Sequence, residues 1–151
     1  MKIKAKVSIK GRKEDVWHAI TDIEGSVERI SAIESIDILE KPASGILGLK
    51  WKETRTMFGK EATEIMWITD AKENEYYQTR AESHGALYIS RLEIEEAGEE
   101  TKLTMGFEGE AQSLGAKIMS FLTGFMFKGA TEKALKQDLI DIKAFVEEST
   151  D

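Results

Sequence analysis

Leu135, Leu139, Ile142 and Val146 are spaced four, three and four, which puts them on one face of an α-helix. They close a chain in which about a hundred earlier residues mostly read as strand. A sheet with one apolar face needs a covering layer, and the stretch 114–148 is the one helix long enough to supply it. The first half of that stretch has a different pattern. Ile118, Met119, Phe121, Leu122, Phe125, Met126 and Phe127 spread around much of the helix, more apolar surface than a simple cover needs. The excess is expected to face a cavity. At about 100° per residue, Ile118, Leu122 and Phe125 point roughly a quarter-turn away from the later set. The spacing predicts a kink or break near Gly124–Gly129. The earlier half would then be a movable gate and the later half a core cover.

Ahead of this helix the period is mostly two. Residues 2–10 alternate strictly, with Ile3, Ala5, Val7 and Ile9 on one face and lysines on the other, which suits a solvated face or a sheet edge. Lys13 to Thr21 reads as a helix with Val16, Trp17 and Ile20 inward, and a second short helix is expected from an N-cap at Ser26 to about Ala32. Ser35 to Leu39 is a strand. Leu47–Phe58 and Glu61–Thr69 form a hairpin around Gly59-Lys60, where glycine at the first central position suits a type II′ turn. That register sets Arg55 opposite Glu64, Glu53 opposite Met66, Trp51 opposite Ile68 and, on the outer face, Lys52 opposite Trp67. Glu75–Ser83 and Ala86–Glu95 flank His84-Gly85, which sets Ala81 opposite Tyr88, Thr79 opposite Ser90 and Tyr77 opposite Leu92. The last strand, Thr101 to Gly109, turns Leu103, Met105 and Phe107 inward. The expected order is strand, two short helices, six meandering strands and a long helix. This is an α+β chain with a curved antiparallel sheet of about seven strands around its last helix, in a single domain over 1–151.

Composition removes several function classes. The 28 acids outnumber the 21 bases, for a net charge of -7, which argues against a nucleic-acid partner. With no cysteine, disulfides, thiolate catalysis and Cys-based metal sites are excluded. Two scattered histidines make no zinc site and have no evident nucleophile; His18 reads as a helix-surface residue and His84 as a turn residue. No phosphate-binding glycine loop is present, and no metal or cofactor is expected. The chain starts MKIKAKVSIKGRK, without the apolar core of a signal peptide, and its longest apolar run is too short to span a bilayer. A cytoplasmic location, no stable membrane insertion and a monomer or homodimer are expected.

The inward face carries polar groups. Glu53, Arg55 and Glu64 stand among Trp51, Met57, Met66 and Ile68. Buried ions need partners, so Arg55 and Glu64 are read as a cross-strand pair at the cavity mouth. Two further readings are open: Arg55 holding a ligand carboxylate, phosphate or carbonyl, and Glu53 or Glu64 acting as a general base. Tyr77, Thr79, Ser83, Tyr88 and Ser90 add hydroxyls. Met57, Met66, Met105, Met119 and Met126 suit an adaptable wall. A mostly apolar pocket with a few polar groups is the usual small-molecule site, with a volume from roughly 300 Å³ upward. The expected ligand-binding set is Trp51, Glu53, Arg55, Glu64, Met66, Tyr77, Tyr88, Met105, Phe107, Phe121, Leu122 and Phe125; no catalytic residue is assigned.

The order of elements and several short motifs resemble the START/Bet v 1-like (SRPBCC) superfamily, in particular its polyketide cyclase/dehydrase-type members. The matching stretches are Glu14-Asp15-Val16-Trp17 through Thr21-Asp22, Gly45 to Trp51, Glu64 to Thr69, Thr101 to Thr104, and Leu139 to Glu147. Together they span essentially the whole chain. The departure is at Arg12-Lys13, where members usually have a proline before the first helix. The resemblance implies a helix-grip fold and a hydrophobic cavity between sheet and long helix, and no single activity. A binder or carrier of a small lipid-like or aromatic molecule is the leading expectation. The alternatives are a cyclase- or dehydratase-type enzyme using a pocket glutamate with Arg55, and an interaction module that exposes Phe121, Phe125 and Phe127.

Overall fold

The computed structural model describes residues 2–57, 59–83, 86–111 and 114–149; the side chains of 57, 83, 111 and 114–127 lie outside the description. Strand β1 (Lys2–Ile9) is followed by helices α1 (Lys13–Thr21) and α2 (Ser26–Arg29). Six strands come next: β2 (Ile33–Glu40), β3 (Lys50–Met57), β4 (Lys60–Lys72), β5 (Tyr76–Ser83), β6 (Ala86–Ala97) and β7 (Glu100–Ala111). Helix α3 (Leu114–Ser149) ends the chain. Among the described residues, seven strands form one antiparallel sheet in the order β1-β7-β6-β5-β4-β3-β2. This is the helix-grip arrangement, with the element order expected from the sequence.

The alternation in β1 translates directly into burial: Ile3, Ala5 and Ile9 are buried, and Lys2, Lys4, Lys6 and Ser8 are exposed. As an edge strand it has carbonyls with no strand partner. Lys136 and Lys143 of α3 donate to the carbonyls of Lys6 and Ser8, so the helix caps the edge. Leu135, Leu139, Ile142 and Val146 are all buried in the core with Ile9, Val16, Ile68 and Leu103. The later half of α3 closes the core as its spacing requires.

Three local expectations change. Ser26 is the first helical residue and not the cap; Gly25 takes the cap position, and α2 stops at Arg29 because Ile30 is already extended. The β3–β4 register is offset by two residues. Met57 pairs with Lys60, Arg55 with Ala62, Glu53 with Glu64 and Trp51 with Met66. Gly59 therefore sits at the second position of the connection, with φ of 76°, a left-handed conformation that glycine adopts freely. A shift of two preserves the faces, because side chains alternate with period two. On the outer face Trp67 consequently lies opposite Lys50 and not Lys52, with the Lys50 ammonium 5.8 Å from its ring centre. The β5–β6 register is as expected, with Ala81, Thr79 and Tyr77 opposite Tyr88, Ser90 and Leu92.

The third change concerns α3, which runs unbroken from Leu114 to Ser149, so the break at Gly124–Gly129 is absent. A glycine costs a helix only about 1 kcal/mol relative to alanine, too little to interrupt propagation in so long a helix. Phe121, Leu122, Phe125 and Phe127 fall outside the described side chains, as do His84, Met119 and Met126.

Candidate functional site

A cavity of about 180 Å³ lies between the inner face of the sheet, helices α1 and α2, and the later half of α3. Every expected site residue with a described side chain borders it: Trp51, Glu53, Arg55, Glu64, Met66, Tyr77, Tyr88, Met105 and Phe107. The volume is smaller than the roughly 300 Å³ expected of a small-molecule site, a shortfall that counts against a carrier of lipid-sized ligands. Trp51 is 3% exposed, and Tyr88 stacks on Phe107 with ring centres 5.6 Å apart. The division of α3 into a pocket half and a core half also changes. Thr131, Ala134, Leu135, Asp138 and Ile142, all in the later half, line the cavity.

Arg55 projects inward from β3, but its partners are not those expected. Its Nε donates to Glu53 Oε2 at 3.0 Å, and its Nη1 and Nη2 both donate to Asp138 Oδ2 at 3.1 Å. Glu64 lies on the next strand opposite Glu53, so the offset register removes the expected Arg55–Glu64 cross-strand pairing. The Trp51 indole donates to the other oxygen of Glu53 at 3.3 Å. One guanidinium thus joins two carboxylates and ties β3 to α3. All three groups are largely withdrawn from water, with side-chain exposures of 18% for Arg55, 11% for Glu53 and 4% for Asp138.

Burial acts first on these charges. It pushes the Asp138 carboxyl above its usual range; attraction to Arg55 works against this, and the charges of Glu53 and Asp141 add to the rise. Burial alone would lower the Arg55 guanidinium, but Asp138 and Glu53 outweigh it and hold Arg55 protonated. The two partners differ because the cation has two carboxylates to itself while each carboxylate shares one cation. An acid raised in the fold favours the folded state below its ordinary value and loses that contribution as pH rises through its folded value. Asp138 therefore weakens the fold as pH climbs from the ordinary value of 3.8. Replacing Asp138 with Asn should flatten the pH dependence of urea midpoints above that value. An unchanged pH profile would show that Asp138 is not the group responsible.

Asp138 was not selected from the sequence, although a signal was present: it falls three residues after Leu135 and four before Ile142, on the apolar stripe. An acid at that position must be buried or break the face. The contributions of Ile20 in α1, Ile23 in the α1–α2 connection and Ile30 just after α2 were also missed. Tyr77 is buried and donates its hydroxyl to the Ile20 carbonyl at 3.0 Å, which holds α1 against β5. Burial, and next the charge of Glu53, push its phenol far above the ordinary range, so it remains a neutral donor. Tyr88 shifts in the same direction, through burial and then the charge of Glu64. His18 is exposed on α1, as expected. Among the described residues, no group of three or more acidic or histidine side chains is arranged to hold a metal ion.

The fold is that of the START/Bet v 1-like superfamily. The Zhui aromatase/cyclase of Streptomyces sp. R1128 superposes with a TM-score of 0.84 at 13% identity, over 100% of this chain and 96% of that one. A START superfamily protein from Mycobacterium smegmatis gives 0.82 at 16% identity, over 98% of both chains. Ara h 8.0201 gives 0.67 at 15% identity, also over 98% of both. No family model and no curated protein matches the sequence. At these identities the likeness establishes the fold and leaves the function to the site itself.

Proposed function

We propose that this protein binds or carries a small, largely apolar molecule in the cavity between the sheet and α3. The observation that supports this reading most is a cavity walled by Ile20, Met66, Leu92, Met105 and Phe107, with a few charged groups contributed by α2, β3, β4 and α3. Such convergence of a few polar groups on an apolar space is how small-molecule sites are built. The size narrows the ligand. A lipid chain or fused polycycle exceeds 180 Å³, whereas engineered apolar cavities of roughly 150 Å³ accept benzene. A single-ring molecule is the fitting scale. The cyclase-type alternative, with Glu53 as acid–base and Arg55 polarising a carbonyl, has less support, because both oxygens of Glu53 and three N–H groups of Arg55 already hold protein partners.

Native mass spectrometry of freshly purified protein should show a retained small molecule, or binding of added phenol. Ala81 is buried and borders the cavity, so Ala81→Leu should occupy the space and weaken phenol binding about tenfold or more, the effect of roughly 1.4 kcal/mol. The variant should keep its fold, since the added carbons enter a void. Absence of any retained or added ligand in the wild-type protein would remove this reading.

A further inference from the structure

The charge arrangement around Arg55 says which ligands the cavity can accept. Arg55 is the one cation of its cluster, and Glu53 and Asp138 both lie on it, so the three groups sum to -1. Glu64, opposite Glu53 on β4, brings a further carboxylate to the lining. Arg29 also borders the cavity, but its guanidinium is directed elsewhere: Nη2 to Asp22 at 2.6 Å, Nη1 to the Ala19 carbonyl at 3.0 Å, with the plane over the Phe145 ring. Among the described residues, no other cation lines the space. An incoming anion would meet two carboxylates before it met an unengaged positive charge.

Asp138 supplies the second observation. Both of its hydrogen bonds from Arg55 fall on Oδ2. The residue is 3% exposed and borders the cavity, and no buried side-chain oxygen lacks a partner among the described residues. Oδ1 takes no hydrogen bond from Arg55 and is the carboxylate oxygen left to accept from a ligand at this lining position. A carboxylate oxygen accepts hydrogen bonds and cannot donate one while ionised. The Tyr77 hydroxyl has already directed its hydrogen to Ile20, so toward any neighbour it too can only accept. Burial strengthens a charge-assisted hydrogen bond made there, because competing water is excluded.

We infer that the cavity selects a single-ring ligand bearing a protonated amine, with the ammonium group donating to Asp138 Oδ1 and the ring against the apolar wall. This rests on the cavity being a ligand site and adds the chemical class. The face of Trp51, whose indole nitrogen is turned to Glu53, belongs to the same lining and offers a π surface to a cation.

Three single-ring probes of similar size separate the possibilities at pH 7: 2-phenylethylamine, 2-phenylethanol and phenylacetate, titrated by calorimetry into the full chain. The amine should bind at least tenfold tighter than the carboxylate, with the alcohol between them. In Asp138→Asn the amide can keep its oxygen on Arg55 and turn its NH₂ group to the cavity, so the amine advantage should vanish and the carboxylate should gain. If the alcohol binds but the carboxylate matches or exceeds the amine, the amine selectivity is wrong and the cavity remains a ligand site. An amine preference that survives Asp138→Asn unchanged also overturns the assignment. If none of the three binds, the ligand-site reading falls, and the selectivity with it.

Discussion

Arg55→Met is expected to destabilise the protein by about 3–5 kcal/mol at neutral pH, the usual cost of removing one member of a buried ion pair. The substitution leaves Glu53 and Asp138 facing each other's charge in a site with little water. It also cuts the link between β3 and α3, which otherwise spans 83 residues of sequence. The sign with pH is diagnostic. Once Arg55 is gone, nothing nearby opposes the upward shift of Asp138, and protonating that carboxyl relieves the repulsion. Part of the lost stability should return on moving from pH 7 to about pH 5, since a carboxyl that resists ionisation in the fold is least costly when acidic conditions supply its proton. Urea unfolding at the two pH values measures both effects. A loss below about 1 kcal/mol at pH 7, the range of exposed pairs, would show that the cluster behaves as if solvated.

Leu139→Ala should cost a similar amount by a different mechanism. Leu139 is 0% exposed and lies on the core face of α3 with Leu135 and Ile142. Truncating a buried leucine costs about 2.7–5 kcal/mol, the transfer term plus a cavity term. Its position within a long helix packed on β1 and β7 limits collapse into the void, so the upper part of that range is expected. Unlike Arg55→Met, the loss should be independent of pH between 5 and 7 because no titrating group is involved. A Leu139→Ala cost under about 1 kcal/mol would mean that α3 is not the element that closes the core.

The candidate site was legible in the sequence to the extent that one strand face was. Trp51, Glu53, Arg55, Glu64 and Met66 share a face whichever even register β3 and β4 adopt, and Tyr77, Tyr88, Met105 and Phe107 follow from the next strands by the same alternation. All nine described residues of the expected set border one cavity for this reason. Their partners were not legible. A hairpin that pairs Met57 with Lys60 and one that pairs Met57 with Ala62 turn one position apart in sequence, yet they displace every cross-strand pair by two residues. That displacement separates Arg55 from Glu64 and brings Glu53 to the opposite position.

Alternation with period two and recurrence at 3.6 residues are local properties, so the sequence by itself determined the order of elements, the inward faces and the covering role of Leu135, Leu139, Ile142 and Val146. The tertiary structure alone decided the Asp138–Arg55–Glu53 cluster, the continuity of α3 through its glycines and the 180 Å³ left unfilled. These depend on how far a helix sits from a sheet and which side chains meet across the gap. Such distances come from the packing of the whole core, and no short stretch of chain encodes them.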